Sequence, residues 1–272
     1  MARKQESASG RIRVGIGGWT YAPWRGVFYP KGLKQADELA YAASHVTSIE
    51  INATHYRLQS PKSFRKWGET APDGFVFSVK GPRLVTNQKV LAETGSFIAR
   101  FFGSGLAELG DKLGPVLWQF AQFKRFDEVD FGKFLKLLPE TLDGRRLHHT
   151  LEVRHDSFRN ADFVRLLRDH GVSLVFSESE SYPPIADLTG EIVYARLQKG
   201  SDRIETAYPP KALDQWAGRA RLWAEGRTLD DLPLADAAHR DDAKPRDVFL
   251  YFIHGGKVRA PAAAMALIER LD

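Results

Sequence analysis

Short apolar runs, rich in β-branched and aromatic residues, recur along the chain and alternate with stretches of helical spacing. Residues 115–120 and 248–253 are largely apolar on both faces of a strand, which is typical of parallel sheets covered by helices on both sides. The alternation itself indicates a parallel α/β fold. The predicted strands are 12–19, 47–53, 75–80, 115–120, 151–154, 173–176, 192–197 and 248–253.

The segments between these strands carry helix signals. Ser60 is a predicted N-cap because Pro61 follows it at the first helical position. The acidic stretch 228–246 shows no periodicity and is predicted to be a long exposed loop before the eighth strand. The predicted helices are 35–44, one that begins at 61, 96–112, 131–138, 161–170, 212–225 and 261–271.

Eight strand–helix units predict a single α/β domain, a (β/α)8 barrel of the TIM type made irregular by the long loop before its eighth strand. The length of 272 residues suits this fold, since such barrels run to roughly 250 residues as one unit. Gly15, Gly17 and Gly18 lie inside the first strand and not after it, which argues against an open dinucleotide-binding sheet. We predict a flexible N-terminal tail at 1–11 and one domain at 12–272.

Composition limits the classes of function. The chain contains no cysteine, so neither disulfides nor thiolate chemistry can contribute. No apolar run approaches the roughly 20 residues that span a bilayer, and residues 1–10 lack the apolar core of a secretory signal. These features predict a cytoplasmic protein without a membrane partner, and they indicate no oligomeric state.

Charge is distributed unevenly around the net value of +5. Residues 1–100 carry 15 lysines and arginines against 7 acidic residues. This excess favours an anionic ligand. Because no helix-turn-helix, zinc-ligand or RNA-stacking motif is present, a small anionic molecule is the preferred partner and nucleic acid the alternative.

Polar residues at the strand ends are the candidate site, because barrel enzymes build their sites from the C-terminal ends of strands. Alternation along a strand places Glu50 with Asn52, and Glu152 with Arg154, on shared faces. The predicted catalytic residues are Glu50, Glu152 and Lys80. The predicted substrate-binding residues are Trp19, Asn52, Tyr56, Gln119, Arg154, Arg196 and His254.

Several kinds of chemistry fit these residues. A glutamate whose pKa is raised by burial could act as a general acid or base, and two glutamates also raise the hypothesis of glycoside hydrolysis. Lys80 could instead form a Schiff base with a carbonyl substrate. The structural alternative is that Glu50 and Glu152 form ion pairs with nearby cations and only tie strands together.

Three further features are weaker candidates. Gly255 and Gly256 could offer backbone N–H groups to a phosphate. The aromatic residues between Trp19 and Tyr29 could form a stacking wall. No cofactor is predicted, and a divalent metal is the weaker alternative, since its candidate ligands match no metal-binding spacing. These ligands are Glu50, His55, Glu152, His155 and His254.

Short motifs along nearly the whole chain resemble the YecE-like family, known as domain of unknown function 72. Each motif is modest, but their number and order make the resemblance specific. They are Gly15-Ile-Gly-Gly-Trp-Thr-Tyr21, Trp24-Arg-Gly26, Phe28-Tyr-Pro30, Ile49-Glu-Ile-Asn52 with Tyr56, Val79-Lys80, Leu113-Gly-Pro-Val-Leu117 with Gln119-Phe120, Glu152-Val-Arg-His155 with Ser157, Tyr194-Ala-Arg196 and Tyr251-Phe252.

The resemblance implies a TIM-type barrel without an established activity, and it supports the polar strand ends as the pocket. The chain also departs from the family pattern around this predicted mouth, which puts a shared family activity in doubt here. His55 stands where the family pattern has Phe, and Asn87 stands where it has His. Ser177 replaces an Asp and Gln198 replaces a His. Ile253-His254 replaces a pair of Asn residues.

Taken together, the sequence favours an enzyme that acts on a small anionic polar metabolite, a sugar or a phosphate ester. Glu50 and Glu152 would exchange protons, while Lys80, Arg154 and Arg196 would neutralise the charge of the substrate. Hydrolase, lyase and isomerase chemistry all stay open. The alternative is a non-catalytic binding protein for nucleic acid or a phosphorylated ligand.

Overall fold

The computed structural model describes residues 9–238 and 243–272. Its strands are β1 (Ile12–Gly17), β2 (Ser48–Ile51), β3 (Val76–Lys80), β4 (Leu113–Gln119), β5 (Thr141–Leu142), β6 (Arg145–Arg146), β7 (His149–Glu152), β8 (Ser173–Glu178), β9 (Ile192–Leu197) and β10 (Asp247–Phe252). Eight of them close into a parallel barrel in the order β1–β10–β9–β8–β7–β4–β3–β2. The predicted TIM-type barrel is therefore confirmed.

Helices follow most of the barrel strands, and Ser60 caps one of them as predicted: its hydroxyl accepts a hydrogen bond from the Ser63 N–H at 3.2 Å. The helices are α1 (Glu38–Ala43), α2 (Ala53–Tyr56), α3 (Pro61–Thr70), α4 (Arg83–Thr86), α5 (Gly95–Phe102), α6 (Glu128–Leu137), α7 (Ala161–Asp169), α8 (Pro210–Ala224) and α9 (Ala260–Leu271).

The predicted long helix at 96–112 is wrong. Helix α5 ends at Phe102, and a separate 3₁₀ segment covers Leu106–Lys112. The break lies at Gly105, whose φ of 109° is open to glycine but costly for other residues. A Cβ atom there would also lie 2.6 Å from the Pro61 Cα, so the break lets the chain pass close to α3.

Two smaller differences concern the stretch before the fifth barrel strand. That strand, β7, ends at Glu152, two residues before the predicted end, so Arg154 follows the strand. The prediction also missed the antiparallel hairpin of β5 and β6. Its turn is Asp143-Gly144, and both residues have positive φ, as two-residue hairpin turns require.

The barrel is irregular at two connections. Residues 179–191, between β8 and β9, contain no helix. The described part of the predicted loop before β10 packs against them, because the Asp187 carboxylate accepts hydrogen bonds from the Ala235 and Asp236 N–H groups at 2.6 and 3.0 Å. Of the predicted tail, residues 1–8 lie outside the described residues, and the Gly10 N–H donates to the Ala224 carbonyl. No helix in the described ranges is both long and apolar enough to cross a membrane.

Two apolar layers hold the fold together. A large one fills the space between the strands and the surrounding helices. A small one plugs the inside of the barrel, and Tyr194 and Tyr251 form its upper part. Because the interior side chains change from apolar to polar toward the C-terminal ends of the strands, the barrel is a packed core with a polar mouth.

Candidate functional site

A cavity of about 540 Å³ opens at the C-terminal ends of the barrel strands, and we call it the mouth cavity. Lys80 and all seven predicted substrate-binding residues line it, so residues from seven different strand ends meet in one place. Eight further lining residues were not among the predicted site residues, and the four with polar side chains are Thr20, Tyr182, Gln198 and Lys257. The complete lining is Gly17, Gly18, Trp19, Thr20, Asn52, Ala53, Tyr56, Lys80, Gln119, Arg154, Tyr182, Arg196, Gln198, Ile253, His254 and Lys257.

Arg196 binds both predicted catalytic glutamates. Its Nε and Nη2 donate to the two carboxylate oxygens of Glu50, each at 3.1 Å, and its Nη1 donates to Glu152 Oε2 at 2.5 Å. All three side chains are almost wholly buried. One guanidinium group thus joins strands β2, β7 and β9 beneath the mouth cavity.

Glu152 is surrounded by donors. Gln119 Nε2 donates to its Oε2 at 2.6 Å, and Arg154 donates to its Oε1 through Nε and Nη2 at 3.1 and 3.0 Å. The Arg154 guanidinium also lies 4.3 Å from the ring centroid of Tyr182, a cation–π contact that holds it at the edge of the cavity. Tyr182 lies in the unpatterned segment after β8, where the sequence offers no signal for it.

Tyrosines inside the barrel complete this network. The Tyr194 hydroxyl donates to Glu50 Oε2 at 2.7 Å and lies 2.8 Å from Ser78 Oγ. The Tyr251 hydroxyl lies 2.7 Å from Ser48 Oγ. Tyr194 could have been found from the sequence, since it precedes Arg196 by two residues and therefore shares its strand face.

These contacts argue against the predicted acid/base role of Glu152. Burial alone would raise its pKa, but Arg196, Arg154 and Gln119 outweigh burial and bring it to about 2. Glu152 therefore stays ionised at neutral pH. Neither glutamate lines the mouth cavity, and the guanidinium of Arg196 is bound to both carboxylates. That arrangement leaves no place for a glycosidic bond between them.

Lys80 differs from the glutamates because its ammonium faces the cavity. The residue is 6% exposed, and within the described ranges its Nζ makes no hydrogen bond or ion pair. Burial lowers its pKa and Arg196 lowers it further, while Glu50 and Glu152 partly oppose this, so the pKa falls to about 8. Of the three residues predicted to be catalytic, Lys80 alone combines access to the cavity with a pKa near neutrality.

Charges at the mouth do not balance. Lys80, Arg154 and Arg196 contribute three positive charges, and Glu50 and Glu152 contribute two negative ones. Lys257 adds another cation to the lining, and no carboxylate occurs among the lining residues in the described part of the chain. The site therefore carries excess positive charge, which favours an anionic ligand.

Other predicted features lie outside the mouth cavity. Gly255 and Gly256 pack against the backbone between Gln198 and Ser201. Of the first aromatic loop only Trp19 and Thr20 reach the cavity, because Trp24, Phe28 and Tyr29 are buried in the outer core. These three residues therefore pack against the barrel and do not form a stacking wall at the cavity.

The metal hypothesis gains no support from the geometry. No group of three or more His, Asp or Glu residues that could hold an ion occurs in the part of the chain that the structure describes. His55 Nδ1 donates to the Gly81 carbonyl at 3.0 Å, and His155 Nδ1 accepts from the Ser157 N–H, also at 3.0 Å. Both histidines thus serve local backbone contacts.

The departures from the resembled family pattern do fall around the mouth. Gln198, Ile253 and His254 line the mouth cavity, while His55 and Asn87 line a neighbouring pocket. Ser177 lies on β8, and its buried Oγ has no hydrogen-bond partner among the described residues; the same is true of Gln198 Nε2.

A closed parallel barrel with a cationic mouth built from strand ends places this chain among the TIM-type barrel proteins. The chain matches the family described as "Protein of unknown function DUF72" over residues 13–272 and belongs to that family. The resemblance found in the sequence is therefore confirmed.

Individual relatives are distant. UPF0759 protein YecE of Escherichia coli is 25% identical over 174 residues, which cover 62% of this chain and 59% of YecE, less than two thirds of that relative. The crystal structure of a DUF72 family protein from Thermotoga maritima has a TM-score of 0.69 at 21% identity, covering 95% of this chain and 97% of that chain. A DUF72 family protein from Enterococcus faecalis has a TM-score of 0.69 at 16% identity, covering 96% and 95%. These structures support the fold.

Proposed function

We propose that this protein binds a small anionic metabolite, such as a phosphate ester, in the mouth cavity and acts on it as an enzyme. The observation that carries the proposal is the Lys80 ammonium: it is buried, it faces a cavity lined by further cations, and it has no partner within the described residues. A buried charge without a partner is costly, and a bound phosphate or carboxylate would supply the missing one.

The residues at the mouth cavity have different proposed roles in binding and in proton exchange. Arg154 and Arg196 hold the ligand charge, and Asn52 and Gln119 orient its polar groups. Glu50 and Glu152 act through the arginines, whose guanidinium groups they hold in place. Lys80, with a pKa of about 8, exchanges a proton with the bound substrate, since a general base works best when its pKa is near the working pH.

Inorganic phosphate is the simplest probe of the anion site. In calorimetric titrations at pH 7.5, replacing Lys80 by Met is expected to weaken phosphate binding by about tenfold or more, because a hydrogen bond to a charged group contributes about 1.5–3 kcal/mol. Lys133→Met is the matched control, since Lys133 is exposed on α6 on the outside of the barrel. Equal phosphate affinity of the Lys80→Met and Lys133→Met variants would contradict an anion site at Lys80.

The pH dependence of phosphate binding tests the same contact. A bound anion favours the charged form of Lys80 and raises its pKa above the free value of about 8. Phosphate binding should therefore take up protons between pH 8 and 10 and weaken as the pH rises through that range. Titrations in buffers of different ionisation enthalpy measure this uptake, and Lys80→Met should abolish it.

Turnover separates an enzyme from a binding protein. We expect Lys80→Arg to keep phosphate binding within about threefold but to lose turnover, because arginine keeps the charge and cannot give up its proton. Conversion of a mixture of phosphorylated metabolites, followed by mass spectrometry, is the measurement. Reduction with borohydride tests the Schiff-base alternative, which would leave a covalent adduct on Lys80. Binding without conversion of any component would identify a binding protein instead.

A further inference from the structure

A second pocket adjoins the mouth cavity and has the same sign of charge. It has a volume of about 430 Å³ and is lined by residues between His55 and Arg100, and we call it the side pocket. Tyr56 lines both the side pocket and the mouth cavity, so the two form neighbouring parts of one surface. Part of the excess positive charge of residues 1–100 is therefore concentrated at the side pocket.

Three arginines of the side pocket are available to a ligand. Arg57, Arg83 and Arg100 are exposed, and none of the described residues that line the pocket carries a carboxylate. Within residues 9–238 and 243–272, no ion pair and no side-chain hydrogen bond involves any of their guanidinium groups. A planar guanidinium offers paired N–H donors that match the oxygens of a phosphate.

Tyr56 stands between the two pockets and presents an aromatic surface. It is 68% exposed, which is unusual for so large a ring, and the Arg83 guanidinium lies 5.5 Å from its ring centroid. Aromatic rings beside cationic grooves are the stacking platforms on which proteins bind the bases of single-stranded nucleic acids. A ring flanked by an anion site on each side suits a ligand with alternating phosphates and bases.

We propose that the side pocket binds the second phosphate of a short single-stranded nucleotide chain whose first phosphate occupies the mouth cavity beside Lys80. This inference rests on the proposed function and narrows it to nucleotide ligands. A base stacks on Tyr56, and Arg57, Arg83 and Arg100 neutralise the outer phosphate. His55 also lines the side pocket, and burial and Lys80 lower its pKa to about 4, so its charge does not contribute at neutral pH.

Two probes of different length test the side pocket by calorimetry: thymidine 5′-monophosphate and the 5′-phosphorylated dinucleotide of thymidine. The dinucleotide is expected to bind about tenfold tighter, because it adds a base and a phosphate. Its log affinity should also fall more steeply with log salt, by roughly 0.7 for each added phosphate contact. The double variant Arg83→Ala/Arg100→Ala should bring the ratio of the two affinities close to one.

The matched control is Arg145→Ala/Arg146→Ala, which removes the same charge from the hairpin at the opposite end of the barrel. It should keep the tenfold ratio. Equal affinity of both probes for the unchanged protein would contradict the proposed side-pocket site. The mouth-cavity site would still stand if Lys80→Met weakened the binding of both probes. A ratio that survives Arg83→Ala/Arg100→Ala would also overturn it. If neither probe binds, the inference fails, and the phosphate titration of Lys80→Met shows whether the mouth cavity fails with it.

Discussion

Replacing Arg196 by Met is expected to lower the free energy of unfolding by about 3–5 kcal/mol at pH 7. The substitution removes the guanidinium that binds Glu50 and Glu152 together. Among the described residues, Glu50 would then keep only the Tyr194 hydroxyl as a donor to its carboxylate, although it is 0% exposed. A buried carboxylate without a counter-charge is among the most costly defects in a folded protein. Urea unfolding followed by circular dichroism measures the loss.

Arg65→Met provides the comparison for this result. Arg65 forms an exposed ion pair with Glu108 on the outside of the barrel, and such pairs contribute about 0–1 kcal/mol. A loss of the same size in both variants would show that Arg196 does not hold the barrel strands together.

The loss of unfolding free energy in Arg196→Met should also depend on pH. The folded pKa of Glu152 is about 2, below its unfolded value of about 4.3. Its ionised form therefore stabilises the fold above the unfolded pKa, and this contribution disappears as the pH falls through 2. Since Arg196 causes part of this shift, the difference between variant and unchanged protein should narrow between pH 5 and 2.

Replacing Lys80 by Met is expected to raise stability at pH 7, by up to about 3 kcal/mol, since each pKa unit corresponds to about 1.36 kcal/mol. The folded pKa of Lys80, about 8, lies below its ordinary value of 10.5. The folded protein therefore carries an unfavourable charge at all pH values below 8. This penalty shrinks as the pH rises from 8 to 10.5, because the folded state has then already lost the proton.

The stability gain should accordingly be full at pH 7 and absent above about pH 10.5. Thermal unfolding in the absence of phosphate measures it, and Lys133→Met, on the exposed face of α6, should change stability by less than about 0.5 kcal/mol. A loss of stability in Lys80→Met at pH 7 would mean that the ammonium is well satisfied in the free protein. A gain, together with the loss of phosphate binding, would identify Lys80 as a residue kept for function at a cost in stability.

Prediction from the sequence succeeded where local patterns decide. The eight strands were recognised because β-branched and aromatic runs such as 248–253 are continuously apolar and have the length of a buried strand. The helix at 96–112 was wrong because its apolar spacing continues across Gly105, while the left-handed backbone there and the close approach of Pro61 depend on packing against α3. Spacing alone does not report such a contact.

For the site, the sequence predicted which strand ends contribute residues, but it did not predict which of these residues bind each other. All seven predicted binding residues line the mouth cavity, since parallel strands in a barrel must end at the same face. The roles of the glutamates were less predictable. Glu50 and Arg196 are 146 positions apart, and their pairing depends on how the two strand ends meet across the barrel.

The sequence by itself determined the barrel, its single set of polar strand ends and the positive charge of the first hundred residues, because periodicity and composition are local properties of the chain. Only the tertiary structure decided which charges are paired with each other across the barrel and which face the mouth cavity without a partner among the described residues. Arg196 satisfies Glu50 and Glu152 across the barrel, and Lys80 is left facing the cavity. That outcome depends on distances of a few ångströms between residues far apart in the chain, and electrostatic energies change steeply over such distances in a buried site.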